Sequence, residues 1–385
     1  MGRMIVRLTI EGFRSIRKLE NFELHPLNIL VGEKGVGKSN FVGFFHFVRE
    51  LIERRLRNVI AEEGGADACL FMGPEVTQRL MGELHFGAGS YEFELTPTAD
   101  NRLIFADEQT LLRGDWGASR ECLGSGHFES ALKDRTDQSG ITAERGVPYY
   151  VYRAIARWVI YHFHDTDLRA RVCRQGAVDD NEVFRPDGSN LAAFLFRIQS
   201  THPSSYAKIR DIVRLAAPFF DDFCLRPVPI NPELIQLGWT QKDSHRFSNA
   251  SNLPDGTLRF ICLATALLQP SMPPVALFDE PELGLGPYAL TLLANLFQHA
   301  ARKYFHQVIV STQSAALVSQ FDPEDVIVVE RVEGQSTFRR LQTKELGNWL
   351  KEFTLGELWQ KNIPRSRQYA EGLPEPFPIT RNQHS

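Results

Sequence analysis

Between Gly32 and Asn40 the chain reads Gly32-Glu33-Lys34-Gly35-Val36-Gly37-Lys38-Ser39-Asn40. This matches G-x-x-x-x-G-K-[ST], a spacing that suits phosphate chemistry. Its glycines let successive backbone N–H groups turn inward around phosphate oxygens. Lys38 would reach the β- and γ-phosphates, Ser39 Oγ would ligate Mg²⁺, and a following helix would add its partial positive charge. Farther on, Val275-Ala-Leu-Phe278 is an apolar run that ends in Asp279-Glu280-Pro281. Such a run delivers carboxylates to the C-terminal end of a buried strand, where ligands bind in α/β sheets. Asp279 would hold the Mg²⁺ shell, directly or through water, and Glu280 would polarise an attacking water as general base. Each motif has a bland alternative: a chance glycine turn for the first, a cap for the helix near Pro287 for the second. Together they specify a site for ATP and Mg²⁺.

Those side chains need strands that end and helices that begin in the right places. Met4 to Ile10 alternates as a strand, and Asn28 to Val31 is a short apolar strand entering the glycine turn. A helical pattern runs from Lys38 toward Ile60. Glu83 to Leu95 and Arg102 to Phe105 read as further strands with glycine turns. From about residue 110 to 225 the chain changes to helical patterns, Tyr150 to Tyr161 and Leu191 to Gln199 among them, which predicts an inserted helical subdomain. Leu258 to Leu268 and Tyr288 to Tyr304 read as helices, Val308 to Ser311 as a buried strand, and Val326 to Val329 with Thr337 to Leu341 as edge strands. Alternating strands and helices predict a mixed α/β sheet with covered faces. No heptad run supports a long coiled-coil arm. The Pro-rich, polar stretch after Ile363 predicts a disordered tail.

Composition sets limits. Hydrophobic residues make up 43% and charged residues 23% of 385, an ordinary globular balance. The formal net charge of −4 gives no global attraction to nucleic acid, so DNA contact would need a local basic patch. Five dispersed cysteines without a CxxC pair predict free thiols in a reducing, cytoplasmic setting. No apolar stretch approaches a membrane span, and the N-terminus lacks a signal-peptide pattern.

His162 and His164 flank Phe163 without a visible third metal ligand, so a structural role is favoured. Arg49, Arg54, Arg55 and Arg57 read as a solvated helix face beside Glu50 and Glu53. Arg153, Arg157, Arg169, Arg171 and Arg174 have fewer acids nearby and are the preferred DNA-phosphate candidates.

Leu253-Pro254-Asp255-Gly256-Thr257-Leu258-Arg259 precedes the acidic strand at the position of the signature loop of ABC-type ATPases. Here the sequence resembles the SMC/RecF-like kind, the AAA_21-type ATPases with an L-S-D-G-T-L-R variant. Phe13-Arg14-Ser15, Tyr161 to Thr166, Arg185 to Leu191, Glu280 to Leu285, Ser311-Thr-Gln313-Ser314, Trp349-Leu350 and Leu355 to Trp359 carry the same resemblance. It implies an ABC-type P-loop NTPase head with a mixed β-sheet core, flanking helices and an inserted, mainly helical subdomain. The implied units are an N-terminal lobe at 1–110, an insert at 111–225, a C-terminal lobe at 226–363 and a tail at 364–385. It also implies an ATP-sandwiched, head-to-tail homodimer in which Asp255 and Gly256 serve the partner's nucleotide. Arg14 would lie near the nucleotide, residues 282–286 would form the loop that crosses the interface, and Gln313 would take the place of the switch histidine. Pro254, Gly286, Gln313 and Lys34 depart from the pattern and bear on turnover, not on nucleotide binding. Three functions follow: an ATP-hydrolysing motor or switch coupled to DNA, in repair or genome maintenance; a low-turnover ATP-sensing scaffold; or a regulatory subunit restraining a separate effector protein, as in phage defence.

Overall fold

The computed structural model describes residues 4–87, 89–114, 117–138, 146–163, 170–242, 247–303 and 306–361. Strands are labelled β1 to β16 in chain order. An antiparallel sheet is built from β1 (Arg7–Phe13), β2 (Ile16–Glu23), β4 (Leu80–Phe86), β5 (Gly89–Pro97), β6 (Leu103–Gly114) and β7 (Gly117–Gly124), ordered β2-β1-β4-β5-β6-β7. The central sheet contains β3 (Leu27–Val31), β8 (Val159–Tyr161), β13 (Val275–Asp279), β14 (Gln307–Thr312), β15 (Val326–Val332) and β16 (Gln335–Arg340). Its order is β16-β15-β3-β14-β13-β8, parallel except where β16 turns back on β15. A third sheet pairs β9 (Gly176–Ala177), β10 (Phe220–Val228), β11 (Asn231–Gln241) and β12 (Phe247–Asn249).

Every residue of β3 and β14 is buried, as expected for parallel strands covered on both faces. Because successive side chains point to opposite faces, each strand feeds two cores. Ile29, Val31, Phe278, Val308 and Val310 enter one core with the helices Asp255–Leu268 and Pro287–Lys303. Leu30, Leu277, Ile309 and Ile327 enter the other, with the helix Lys38–Ile52 and the antiparallel sheet. The helix Lys38–Ile52 therefore lies between two sheets. Its Phe41, Phe44, Phe45, Phe47 and Val48 are nearly fully buried, so its start is fixed by packing at both faces.

Several elements differ from the sequence expectation. The first strand runs from Arg7 to Phe13, three residues later than the alternation suggests. The helix after the glycine turn stops at Ile52, Arg54 takes a left-handed φ of 63°, and a second helix spans Leu56–Glu63. Distant acids fix that break: Arg54 pairs with Asp134 at 2.6 Å, and Glu129 accepts the Leu56 N–H at 2.8 Å. The helix at Tyr150 spans Val147–Ile155 and gives way to strand β8, because the edge of β13 offers Val159–Tyr161 a parallel partner. Among its described residues the stretch 111–225 holds four α-helices, Leu132–Gln138, Val147–Ile155, Leu191–Thr201 and Pro203–Ala216, and also gives β7 to the antiparallel sheet and β8 to the central sheet. The predicted tail after Ile363 lies outside the described residues. Among the described residues no helix is long and apolar enough to cross a membrane.

Phe278 stacks on Tyr161 and packs on Phe297, both at 5.1 Å, directly beneath Asp279. Phe278→Ala should therefore destabilise the fold by about 3–5 kcal/mol, read as a lower denaturant midpoint. A shift below about 1 kcal/mol would contradict this packing account.

Candidate functional site: a phosphate loop facing two carboxylates

The turn after β3 needs glycine where φ is positive, at Gly35 (82°) and Gly37 (110°). Open space surrounds Gly35, whereas a Cβ on Gly37 would fall on Ser336 Oγ and lie 2.7 Å from Ser15 Oγ. These two hydroxyls form a buttress. Ser15 and Ser336 hydrogen-bond at 2.6 Å, Ser336 Oγ donates to the Val36 carbonyl at 2.7 Å, and Asn40 Nδ2 donates to Ser15 Oγ at 2.6 Å. Gly32 is also tight, since a Cβ there would come within 2.6 Å of the Val329 carbonyl.

Lys38 begins the helix and is 4% exposed. Its Nζ folds back over the loop and donates to the carbonyls of Gly32 and Glu33, both at 2.9 Å. Burial lowers its pKa from the ordinary lysine value, and the negative charges of Glu280, Asp279 and Glu282 oppose that shift.

The acids reach the same place through strand register. Asp279 pairs with Ser311 across β13 and β14, and Ser311 Oγ donates to Asp279 Oδ1. The Glu280 N–H extends the ladder to the Ser311 carbonyl at 2.9 Å, after which Glu280 turns at a left-handed φ of 43°. Gln313 Nε2 donates to Glu280 Oε1. Glu282 Oε1 accepts from Thr312 Oγ1 at 2.6 Å and from the Gln313 N–H at 2.9 Å.

A cleft of about 380 Å³ is lined by Lys34, Gly35, Gly37, Lys38, Ser39, Asn40, Asp279, Glu280 and Gln313. These are the residues that the sequence nominated as one site. Gly32, Glu33 and Val36 shape the loop behind that lining. Three nominated residues lie elsewhere. Arg14 faces Glu63 at 2.5 Å and sits 5.0 Å over the Phe13 ring. Asp255 and Gly256 open the helix Asp255–Leu268, where a Cβ on Gly256 would collide with the Gly284 carbonyl. A second hollow, about 120 Å³, is lined by Pro254, Gly256, Thr257, Gly284 and Gly286 among others.

The cleft fits a magnesium nucleotide on its donor set. An ammonium already satisfied by two carbonyl oxygens, a hydroxyl and a carboxylate are the hard oxygen and cationic partners such a ligand requires. The sequence places Glu282 only in the loop expected to cross the interface, gives Ser15, Ser311 and Thr312 only as part of the family resemblance, and assigns Ser336 no role. Ser311 and Thr312 could have been found as polar residues ending an apolar strand, and Ser336 carried no local signal at all.

The secondary candidates fare differently. Arg55 pairs with Glu50 and Arg57 with Glu129, both at 3.3 Å, as a solvated face would. Arg171 lies 3.6 Å from Asp187, and Arg153 sits 5.8 Å over Tyr149. Arg169 and His164 lie outside the described residues. Among the described residues no group of three or more His, Cys, Asp or Glu could hold a metal.

Gly37→Ala should weaken nucleotide binding at least about tenfold, because the loop must shift off Ser336 and adopt a φ that alanine resists. Titration with a fluorescent ATP analogue measures this, and unchanged affinity would contradict the packing. Phosphate needs the protonated Lys38, so affinity should decline as pH rises through its lowered pKa. The alkaline limb of nucleotide affinity in the free protein should thus fall below the ordinary lysine value of 10.5, and a limb above it would contradict the burial argument.

Residues 27–319 match the model of the family described as "AAA domain, putative AbiEii toxin, Type IV TA system". No curated protein matches the chain in sequence. Among solved structures, an Smc head bound to the C-winged helix domain of ScpA is 14% identical, with a TM-score of 0.55 over 90% of this chain and 99% of that one. The Smc head with an extended coiled coil bound to the C-terminal domain of ScpA, from Pyrococcus furiosus, is 13% identical, with a TM-score of 0.50 over 90% and 98%. At such identities the likeness concerns the fold, and the longest helix among the described residues spans 17 residues, Pro287–Lys303. With a phosphate loop facing an Asp-Glu strand end, the chain belongs to that AAA-domain family and shares the α/β fold of the Smc heads.

Proposed function

We propose that the protein binds Mg-ATP in this cleft, hydrolyses it, and uses the cycle to open and close a head-to-tail homodimer. The supporting observation is the convergence of Lys38, Ser39, Asp279, Glu280 and Gln313 on one cavity. Lys38 and the N–H groups of residues 35–39 would hold the phosphates. Ser39 Oγ and an Asp279 carboxylate oxygen would hold Mg²⁺, which when bound would neutralise charge on the phosphate oxygens. Glu280 would accept the proton of the attacking water, and Gln313, already bonded to Glu280, would orient that water. Gly256, with Pro254 and Thr257, lines a different hollow from Lys38. That separation suits a signature loop that serves a second copy's nucleotide.

A low-turnover ATP sensor is the second reading, and Pro254 favours it. Pro254 caps the signature helix with neither an N–H nor a hydroxyl to offer a phosphate. Coupling to DNA or to a separate effector protein belongs to either reading. The Smc heads of similar fold are bound to fragments of ScpA, which makes a partner protein a reasonable companion for this head too.

Turnover measured with and without DNA tests the chemistry. Lys38→Ala and Glu280→Gln should each lower it by about 10²–10⁴-fold. Glu280→Gln should retain ATP and double in mass when ATP is added. Unchanged mass at saturating ATP would refute the dimer, and turnover near background in the unsubstituted protein would favour the sensor.

A further inference from the structure

Gln313 is the exposed residue that follows β14, outside any strand or helix. Its side chain meets Glu280, so the position of its backbone decides where that amide lands. Glu282 supplies the tether. One carboxylate oxygen accepts both the Thr312 hydroxyl and the Gln313 N–H, at 2.6 and 2.9 Å. Its other oxygen is buried and accepts no hydrogen bond, so the group's hydrogen bonding runs through these two neighbours. The loop that bears Glu282 is itself anchored. Arg259 Nη1 donates to the Leu283 carbonyl, Gly284 packs against Gly256, and the Leu285 N–H returns to the Glu282 carbonyl at 3.0 Å.

We propose that Glu282 is a positioning residue for hydrolysis: its carboxylate fixes the Gln313 backbone, and through it the Gln313 amide, against Glu280. This rests on Glu280 being the general base. Glu282 also adds to the negative field that favours a charged Lys38, so reach and charge must be separated.

Glu282→Asp keeps the charge and shortens the reach; Glu282→Gln keeps the reach and an acceptor oxygen but removes the charge. Steady-state ATP turnover of the full chain, with thermal unfolding alongside, tells them apart. Glu282→Asp should lower kcat about tenfold or more with KM for ATP nearly unchanged, since a small misplacement of a catalytic group is expensive in rate. Glu282→Gln should keep kcat within about threefold, because the hydrogen-bond geometry survives. In a Gln313→Ala background Glu282→Asp should change kcat little, as residues acting through one another are non-additive. A Glu282→Gln loss as large as that of Glu282→Asp, or effects that multiply in the double variant, would overturn the proposal. If Glu280→Gln abolishes turnover and Glu282→Asp does not alter it, only the positioning role fails. If Glu280→Gln leaves turnover intact, the base assignment and this proposal fall together.

Discussion

The parallel pairing of β3, β14 and β13 is the constraint on which the site depends. Val31 pairs with Thr312, and Ser311 pairs with Asp279, so three strand ends finish at one level. The phosphate loop leaves the first end, the switch segment the second, and the acidic pair the third. A parallel sheet places its C-terminal ends on one edge, and chemistry gathers there for that reason. A register slip of one residue would turn Asp279 to the opposite face of its strand.

Packing makes that register unambiguous. The central strands present alternate residues to two cores, so neither face tolerates a slip that would swap them. Leu277 belongs to the core around the helix Lys38–Ile52, and Phe278 to the core on the other side. The aromatic residues of that helix hold its first turn, and with it Lys38, at a fixed depth. The buttress of Ser15, Ser336 and Asn40 then holds the loop from outside.

Charge is arranged with equal economy. A nearly buried ammonium rests on two carbonyls, and three nearby carboxylates oppose the burial that lowers its pKa. Glu280 is reached by Gln313, and Gln313 by Glu282, so the acid beyond the strand end and the residue beyond the neighbouring strand form one connected group. The glycine-rich junction at Gly256 and Gly284 permits the close approach that ties this loop to the signature helix.

The residue types and spacing of Gly32 to Asn40 and Val275 to Glu280 determined the phosphate loop, the acidic strand end and the α/β class, because glycine turns and apolar runs act locally. The break at Arg54 and the strand at Val159–Tyr161 were decided by tertiary partners, Asp134 and Glu129 for the first and β13 for the second. A short apolar run reads equally as helix or strand until a neighbouring edge claims it. The pairing of Arg14 with Glu63, outside the residues that line the cleft, was likewise decided only by the folded chain. So were the roles of Ser336 and Glu282, since a hydroxyl or carboxylate acts through the atoms that distant segments bring within hydrogen-bond reach, and sequence spacing carries no record of that distance.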